Sequence, residues 1–290
     1  MSLRQPFRAG SFYEASPHAC REEAQDLLNA VQLPEDLPKR LFGGIVPHAG
    51  WMYSGKVAAV TLKALAGAVQ SPTVVLLGAD HCGTAMDGEV YDRGAWVSPL
   101  GEVEIDEPFA EQILIAGDLL SANQAAHARE HSLEVQVPFI QVLWPGVKMV
   151  PILVAPSARA PAVGQAVGQV AARQAGPVVI VGSTDLTHHG GHFPAPGGRG
   201  QQGVEWTVAN DRRMIDLMEQ MAAEKIIKEA AEYQNACGAG AVAATIAACR
   251  AMGATAGRCL AYDNSYDVTH RLYPRHADDT TVGYASVVFA

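Results

Sequence analysis

Pro177–Gly190, PVVIVGSTDLTHHG, sets a β-branched apolar run directly against a cluster of hydroxyl, carboxyl and imidazole side chains. A short run of this kind, bounded by turn-forming residues, reads as a strand buried on both faces. The pattern recurs three times, in FGGIV before Pro47, TVVLLG before Ala79 and VKMVPILVA before Pro156. Helical patterns fall between and after these runs, at Ser54 to Ala68, Pro108 to Leu120, Ser132 to Leu143, Ala160 to Gln174, Val204 to Tyr233 and Gly238 to Met252. TVGYASVVFA at the end reads as a last strand. Strands alternating with helices predict a layered α/β fold with a central, mostly parallel or mixed sheet flanked by helices. No internal repeat or linker divides the chain, so one domain is expected over residues 1–290.

Composition narrows the function. Of the 290 residues 49% are hydrophobic and 18% charged, with no long polar tract, which excludes disorder on the scale of a domain. A formal net charge of −9 argues against nucleic acid or an anionic membrane as the main partner, because both demand a basic surface. MSLRQPFRAGSFY lacks an apolar signal core, and no run approaches the roughly 18–20 apolar residues of a spanning helix. The cytoplasm is the expected compartment. Five widely spaced cysteines without a CxxC pair argue against a disulfide framework and a structural zinc cage.

In open α/β sheets ligands bind beyond the carboxyl ends of the strands. Three such ends carry histidines: VPHAG with His48, LLGADHCG with Asp80 and His81, and VIVGSTDLTHHG with Asp185, His188 and His189. Two imidazoles and an anionic ligand make a half-open site for a divalent transition metal. The anion is Asp185, Glu134 or a cysteine on this reading. Cys237 in NACGAG stands at a helix start, where free amides favour a thiolate, whereas Cys249, among alanines, reads as a small buried hydrophobe. FPAPGGRGQQG, Phe193 to Gly203, follows the histidines as a flexible loop suited to a lid.

Three other chemistries have weaker support. His127-Ala128-Arg129-Glu130-His131 matches the H-x-x-E-H pattern of zinc peptidases, but Ser132 reads as the N-cap of a new helix and Pro138 prevents one long helix through the segment. GAGA and GGRG lack the lysine and hydroxyl of a phosphate-binding loop. Ser183, Asp185 and His188 are the residue types of a hydrolase triad, yet six positions hold all three and no G-x-S-x-G surrounds the serine.

Eight ordered segments, RAGSFY, VPHAGWMYSG, LLGADHCG, EHSLEVQVPF, ILVAP, GSTDLTHHG, NACGAGAV and AYDNSYD, run almost end to end. With them the chain resembles the Memo family, the AmmeMemoRadiSam system protein B group, related in fold to class III extradiol dioxygenases. The resemblance implies metal ligands at His48, His81 and Cys237. Asp185 and His188 face the same pocket, and Glu130 and His131 lie in another family signature, so His188, Asp185 and His131 become the candidate catalytic residues. It implies Fe(II) first, with zinc or copper as alternatives, and an AMMECR-type protein and a radical SAM enzyme as partners. Extradiol dioxygenases hold Fe(II) with two histidines and a carboxylate; a thiolate here departs from that set and puts ring cleavage in doubt. GADH departs too, where the family more often has proline and a small polar residue before the histidine. The expected function is a metal-binding protein with oxidoreductase scope on a small or radical-SAM-linked substrate. The alternatives are a non-catalytic binding partner with a vestigial dioxygenase-like pocket, and a zinc peptidase.

Overall fold

The structure is a computed structural model and describes residues 2–275 and 279–290. In chain order its first half holds β1 (Leu3–Arg4), α1 (Pro17–Asn29), β2 (Gly43–Val46), α2 (Trp51–Ala68), β3 (Thr73–Gly78), β4 (Gly88–Val90), β5 (Ala95–Ser98), β6 (Gly101–Glu104), α3 (Glu107–Leu114), β7 (Leu120–Ala122) and α4 (Val137–Leu143). There follow β8 (Lys148–Val154), α5 (Ala160–Ala171), β9 (Val178–Ser183), β10 (His188–His189), α6 (Gln201–Glu219), α7 (Ala223–Tyr233), α8 (Ala239–Met252), β11 (Gly257–Asn264), α9 (Ser265–Leu272) and β12 (Thr281–Phe289).

The four apolar runs become four adjacent parallel strands in the order β2, β9, β3, β8. Burial on both faces explains why these segments carry almost no polar side chain. The predicted last strand, β12, pairs antiparallel with β2, and β4 pairs antiparallel with β8, so the sheet is mixed. β10 and β11 add to β12, β7 adds to β4, and β1, β5 and β6 form a separate small sheet. Because the four central strands run the same way, Pro47–His48, Ala79–His81 and Thr184–Asp185 all emerge at one edge.

α8 is buried from Ala239 to Cys249 and lies against both β9 and α5. Its alanines permit this approach. A Cβ added at Gly164 or Gly168 of α5 would collide with the carbonyls of Ala244 and Ala248, and one at Gly182 of β9 with the Thr245 hydroxyl. The close packing sets the start of α8, and with it Cys237, beneath the strand ends.

Several helix boundaries differ from the sequence expectation. The helix predicted to reach Leu120 stops at Leu114, and after a turn at Asp118 and Leu119, Leu120 begins β7. The single helix expected over Val204 to Tyr233 is two, because buried Met221 adopts φ 55° and turns the chain so that α7 packs back onto α8. Ser132 caps no helix: its hydroxyl faces the Ala79 carbonyl at 3.4 Å and its N–H donates to Glu130. Two 3-10 turns, Gln124–His127 and Glu134–Gln136, precede α4, whose first turn accommodates Pro138. The loop from Phe193 ends sooner than expected, since Gln201 opens α6. Among the described residues, no helix is long and apolar enough to cross a membrane.

Candidate metal centre

His48 follows β2, His81 follows β3 and Cys237 immediately precedes Gly238, the cap of α8. Their ligand atoms all lie within 4.8 Å of one another. Cys237 Sγ is 3.2 Å from His48 Nε2. A tetrahedral ion with metal–nitrogen and metal–sulfur bonds of about 2.1 and 2.3 Å would hold N and S about 3.6 Å apart, so the His48–Cys237 pair needs only a small expansion to fit one.

The surrounding hydrogen bonds decide which imidazole nitrogens are free. Ser183 Oγ donates its only proton to the Ser132 carbonyl at 2.8 Å, so it must accept from His48 Nδ1, also at 2.8 Å. His48 Nε2 is therefore a lone pair aimed at Cys237. His81 Nδ1 lies 2.9 Å from Glu130 Oε1 and donates to that carboxylate, which leaves its Nε2 for a ligand role. Glu130 itself is held by the N–H groups of His81, His131 and Ser132, each at 2.8 Å. This carboxylate–histidine pairing is the usual means of fixing the tautomer of a metal-binding imidazole.

The electrostatics follow from burial and crowding. His48 is 2% exposed, and burial, followed by the nearby charge of His81, His131 and His188, holds it well below the ordinary imidazole range. Burial also pulls His81 down, but the hydrogen bonds and charges of Cys237 and Glu130 outweigh it and push His81 up to about 10. Burial would raise Glu130, yet its contacts with His81 and the backbone bring it down to about 2. His131 is lowered to about 4, first by burial and then by the charge of His81. It stacks on His81 at 4.8 Å between ring centroids and meets His48 edge-on at 5.4 Å.

The other expected site residues divide in two. Asp185 accepts the backbone N–H of His48 at 2.7 Å, while its own carbonyl accepts the N–H of Cys237 at 3.2 Å. One residue thus ties two ligand positions together, and burial raises its carboxyl against the opposing N–H donors of His48 and Ala49. His188 Nδ1 donates to the Leu186 carbonyl at 3.0 Å rather than to Asp185. Its Nε2 is left as the acceptor. Asp185, His131 and His188 line a cavity of about 500 Å³ walled by Phe12, Tyr53, Phe193 and Tyr284. A larger groove of about 720 Å³, lined in part by Ala162, Ile227 and Ala247, has no imidazole or thiol among the described residues that line it.

Glu134 does not join the centre. It binds Arg4 at 2.8 Å, the Tyr13 hydroxyl at 2.9 Å and the N–H groups of Phe7 and Arg8, and so anchors the amino-terminal segment. Asp80 caps its own loop through the N–H groups of Thr84 and Ala85. His189 packs against Trp206 with neither nitrogen hydrogen-bonded among the described residues. The H-x-x-E-H residues share no α-helix: His127 closes a 3-10 turn with Nε2 2.9 Å from the Glu89 carbonyl, far from the arrangement a zinc peptidase requires. Ser183 and Glu130, which the sequence marked only within a triad-like loop and the H-x-x-E-H pattern, are the residues that orient His48 and His81. Cys249 is fully buried and its thiol is raised by desolvation, as expected of a core cysteine.

Fold and cluster together define an α/β protein with a two-histidine, one-cysteine group able to hold a metal ion. Comparison with known proteins gives the family. The Memo-like protein profile matches residues 4–288. A MEMO1 family protein of Methanopyrus kandleri is 36% identical over 99% of this chain and 98% of its own length. Another, from Caldivirga maquilingensis, is 34% identical over 100% and 99%. A solved structure of an uncharacterized protein from Escherichia coli K12 superposes with a TM-score of 0.48 at 9% identity, covering 85% of this chain and 99% of that one. The chain belongs to the Memo-like family.

Proposed function

We propose that the protein holds a transition metal, Fe(II) in the cell, through His48 Nε2, His81 Nε2 and Cys237 Sγ, and acts as a dioxygenase-like oxidoreductase on a small molecule bound in the adjoining cavity. The observation that carries this reading is the pair of hydrogen bonds at Nδ1: Ser183 holds that of His48 and Glu130 that of His81, which leaves the Nε2 of each ring for the cluster with Cys237. Two imidazoles and one thiolate suit iron, zinc and copper alike. A bound redox-active metal would supply open coordination positions and electron transfer.

The chain's own residues supply the rest. His188, with Nδ1 committed to Leu186, presents Nε2 as a base to take a proton from a substrate in the cavity. His131 is neutral near pH 7 because its pKa is held near 4, and it provides a second acceptor on the same wall. Asp185 acts through position, by fixing the backbone of His48 and Cys237. Phe193 meets His188 edge-on at 5.0 Å and brings the following loop over the cavity as a lid that excludes water. The proposed setting is the cytoplasm, where thiol ligands remain reduced. The proposed partners are an AMMECR-type protein and a radical SAM enzyme, which co-purification from a native host would test.

Metal analysis after anaerobic purification tests the core of this reading. Wild type should carry close to one iron per chain, and the His48→Ala, His81→Ala and Cys237→Ala variants less than about a tenth of it, with unchanged circular dichroism. Wild-type levels of iron in any of the three would remove that residue from the ligand set.

A further inference from the structure

The cavity of about 500 Å³ has walls of two kinds, rings and hydrogen-bond acceptors. Tyr53 and Phe193 pack against a small cluster of Tyr284, Val282 and Val57, so three of the lining rings gather in one place. Phe12, the fourth, packs on the main core instead, and its ring already carries the Arg8 guanidinium at 4.6 Å.

The polar groups of the wall have spent their protons elsewhere. Ser11 Oγ donates to the Arg8 carbonyl at 2.9 Å, His188 Nδ1 to the Leu186 carbonyl at 3.0 Å and Ser265 Oγ to the Thr280 carbonyl at 3.1 Å. A serine hydroxyl has one proton and a neutral imidazole one N–H, so each of these groups is left with lone pairs. That of Ser265 is taken by the Val282 N–H at 2.8 Å, while those of Ser11 and His188 Nε2 are not so used. Asp185, the one carboxylate among the described residues that line the cavity, accepts the His48 N–H at 2.7 Å. No lysine or arginine is among those residues to supply donors. The remaining hydroxyls of the wall can turn either way.

We propose that the cavity takes a small primary amine in its ammonium form, carried on an apolar body. An ammonium has three N–H donors and no acceptor, which complements a wall of lone pairs. Asp185 and His188 Nε2 accept from it, and the rings of Tyr53, Phe193 and Tyr284 stabilise its charge. Phe12 and Val282 are left to contact the body. An oxyanion is refused, because it would lose its water beside Asp185 with no cationic donor to replace it. This assignment names the substrate class for the metal-centred reading above and rests on it. His131 of the same wall stacks on His81 and Asp185 holds the His48 backbone, which sets the cavity against the candidate centre.

Benzylamine, benzyl alcohol and benzoate share one ring and differ in donors and charge. Each is titrated near pH 7 by ligand-observed NMR into the full-length protein, as purified and after chelation of metal. Benzylamine should bind the wild type about tenfold or more tightly than the other two. Tyr53→Leu and Phe193→Leu should each weaken benzylamine about 3- to 30-fold and benzyl alcohol by less, since only the cation loses the attraction of the ring. Tyr53→Phe, which keeps a ring, should keep most of the binding. Asp185→Asn should weaken benzylamine too, but it also loosens His48, so the ring variants carry the test. Three results would overturn the assignment: benzyl alcohol or benzoate binding as tightly as benzylamine, no binding of benzylamine by the wild type, or equal losses of amine and alcohol in the Leu variants. The two readings fail separately. Ring-dependent amine binding in a protein that never holds metal would sink the metal centre and keep the amine; stoichiometric metal with no preference for the amine would do the reverse.

Discussion

His48 and His127 are both buried, at 2% and 0% exposure, and both sit in segments that sequence patterns mark for metal chemistry. Their surroundings give them opposite roles. Around His48, a serine whose proton is already committed fixes one nitrogen and turns the other toward a thiol and a second imidazole. Around His127, Nε2 faces the Glu89 carbonyl and the ring is boxed by Tyr91 and Trp96. Burial lowers His127 to about 3, so it remains a neutral core residue across the physiological range. What separates a ligand from a packing histidine is the direction of the nitrogen left over, which burial alone does not report.

Substitutions on the two sides should split metal affinity from stability. The largest effect is expected at the first contact behind His48. Ser183→Ala removes the acceptor of Nδ1, lets the ring adopt the other tautomer, and should weaken metal binding about 10- to 100-fold in a chelator competition. His127→Ala should leave metal content unchanged and destabilise the fold by about 2–4 kcal/mol in urea unfolding, through a lost hydrogen bond and a cavity. A fall in metal content there, without unfolding, would return His127 to the centre.

A smaller effect separates the centre from the carboxylate behind it. Asp211 on α6 accepts the N–H of Thr187 at 2.8 Å and the hydroxyl of Tyr262 at 2.6 Å. Burial, opposed by these donors, raises its carboxyl to about 7. An acid raised on folding stabilises most below its unfolded value near 3.9, and that contribution is lost as pH rises through about 7. Asp211→Asn should therefore flatten the decline in stability between pH 5 and 7, by at most about 1.4 kcal/mol per pH unit, in urea titrations at each pH. An unaltered slope would show that Asp211 is ionised throughout.

The strands that build the sheet were readable because burial on both faces leaves no polar residue in β2, β3 and β9 beyond their ends. The polar residues that end them marked the edge where the candidate centre lies, and the resemblance supplied the trio, His48, His81 and Cys237, that the fold gathers into a group able to hold a metal ion. The break between α6 and α7 was not readable: Met221 takes a left-handed conformation without the glycine that normally signals one. α9 was also missed, although Asn264 caps it by accepting the N–H of Asp267 at 2.8 Å. Glu134 and Glu130 stand four positions apart, and spacing could not tell which would face the cluster. A 3-10 turn and the pull of Arg4 direct the first toward the amino terminus, while the second grips His81. The roles of Ser183 and Leu186 depend on the placement of single protons and carbonyls, which no residue pattern encodes.

The most direct test of the central claim is X-ray absorption at the iron edge of anaerobically loaded protein, measured beside the Cys237→Ser variant. The account predicts a spectrum fitted by two imidazole nitrogens and one sulfur at about 2.3 Å, with the sulfur shell absent from the variant. A wild-type spectrum with only nitrogen and oxygen neighbours would contradict it, because Cys237 would then stand beside the metal without binding it.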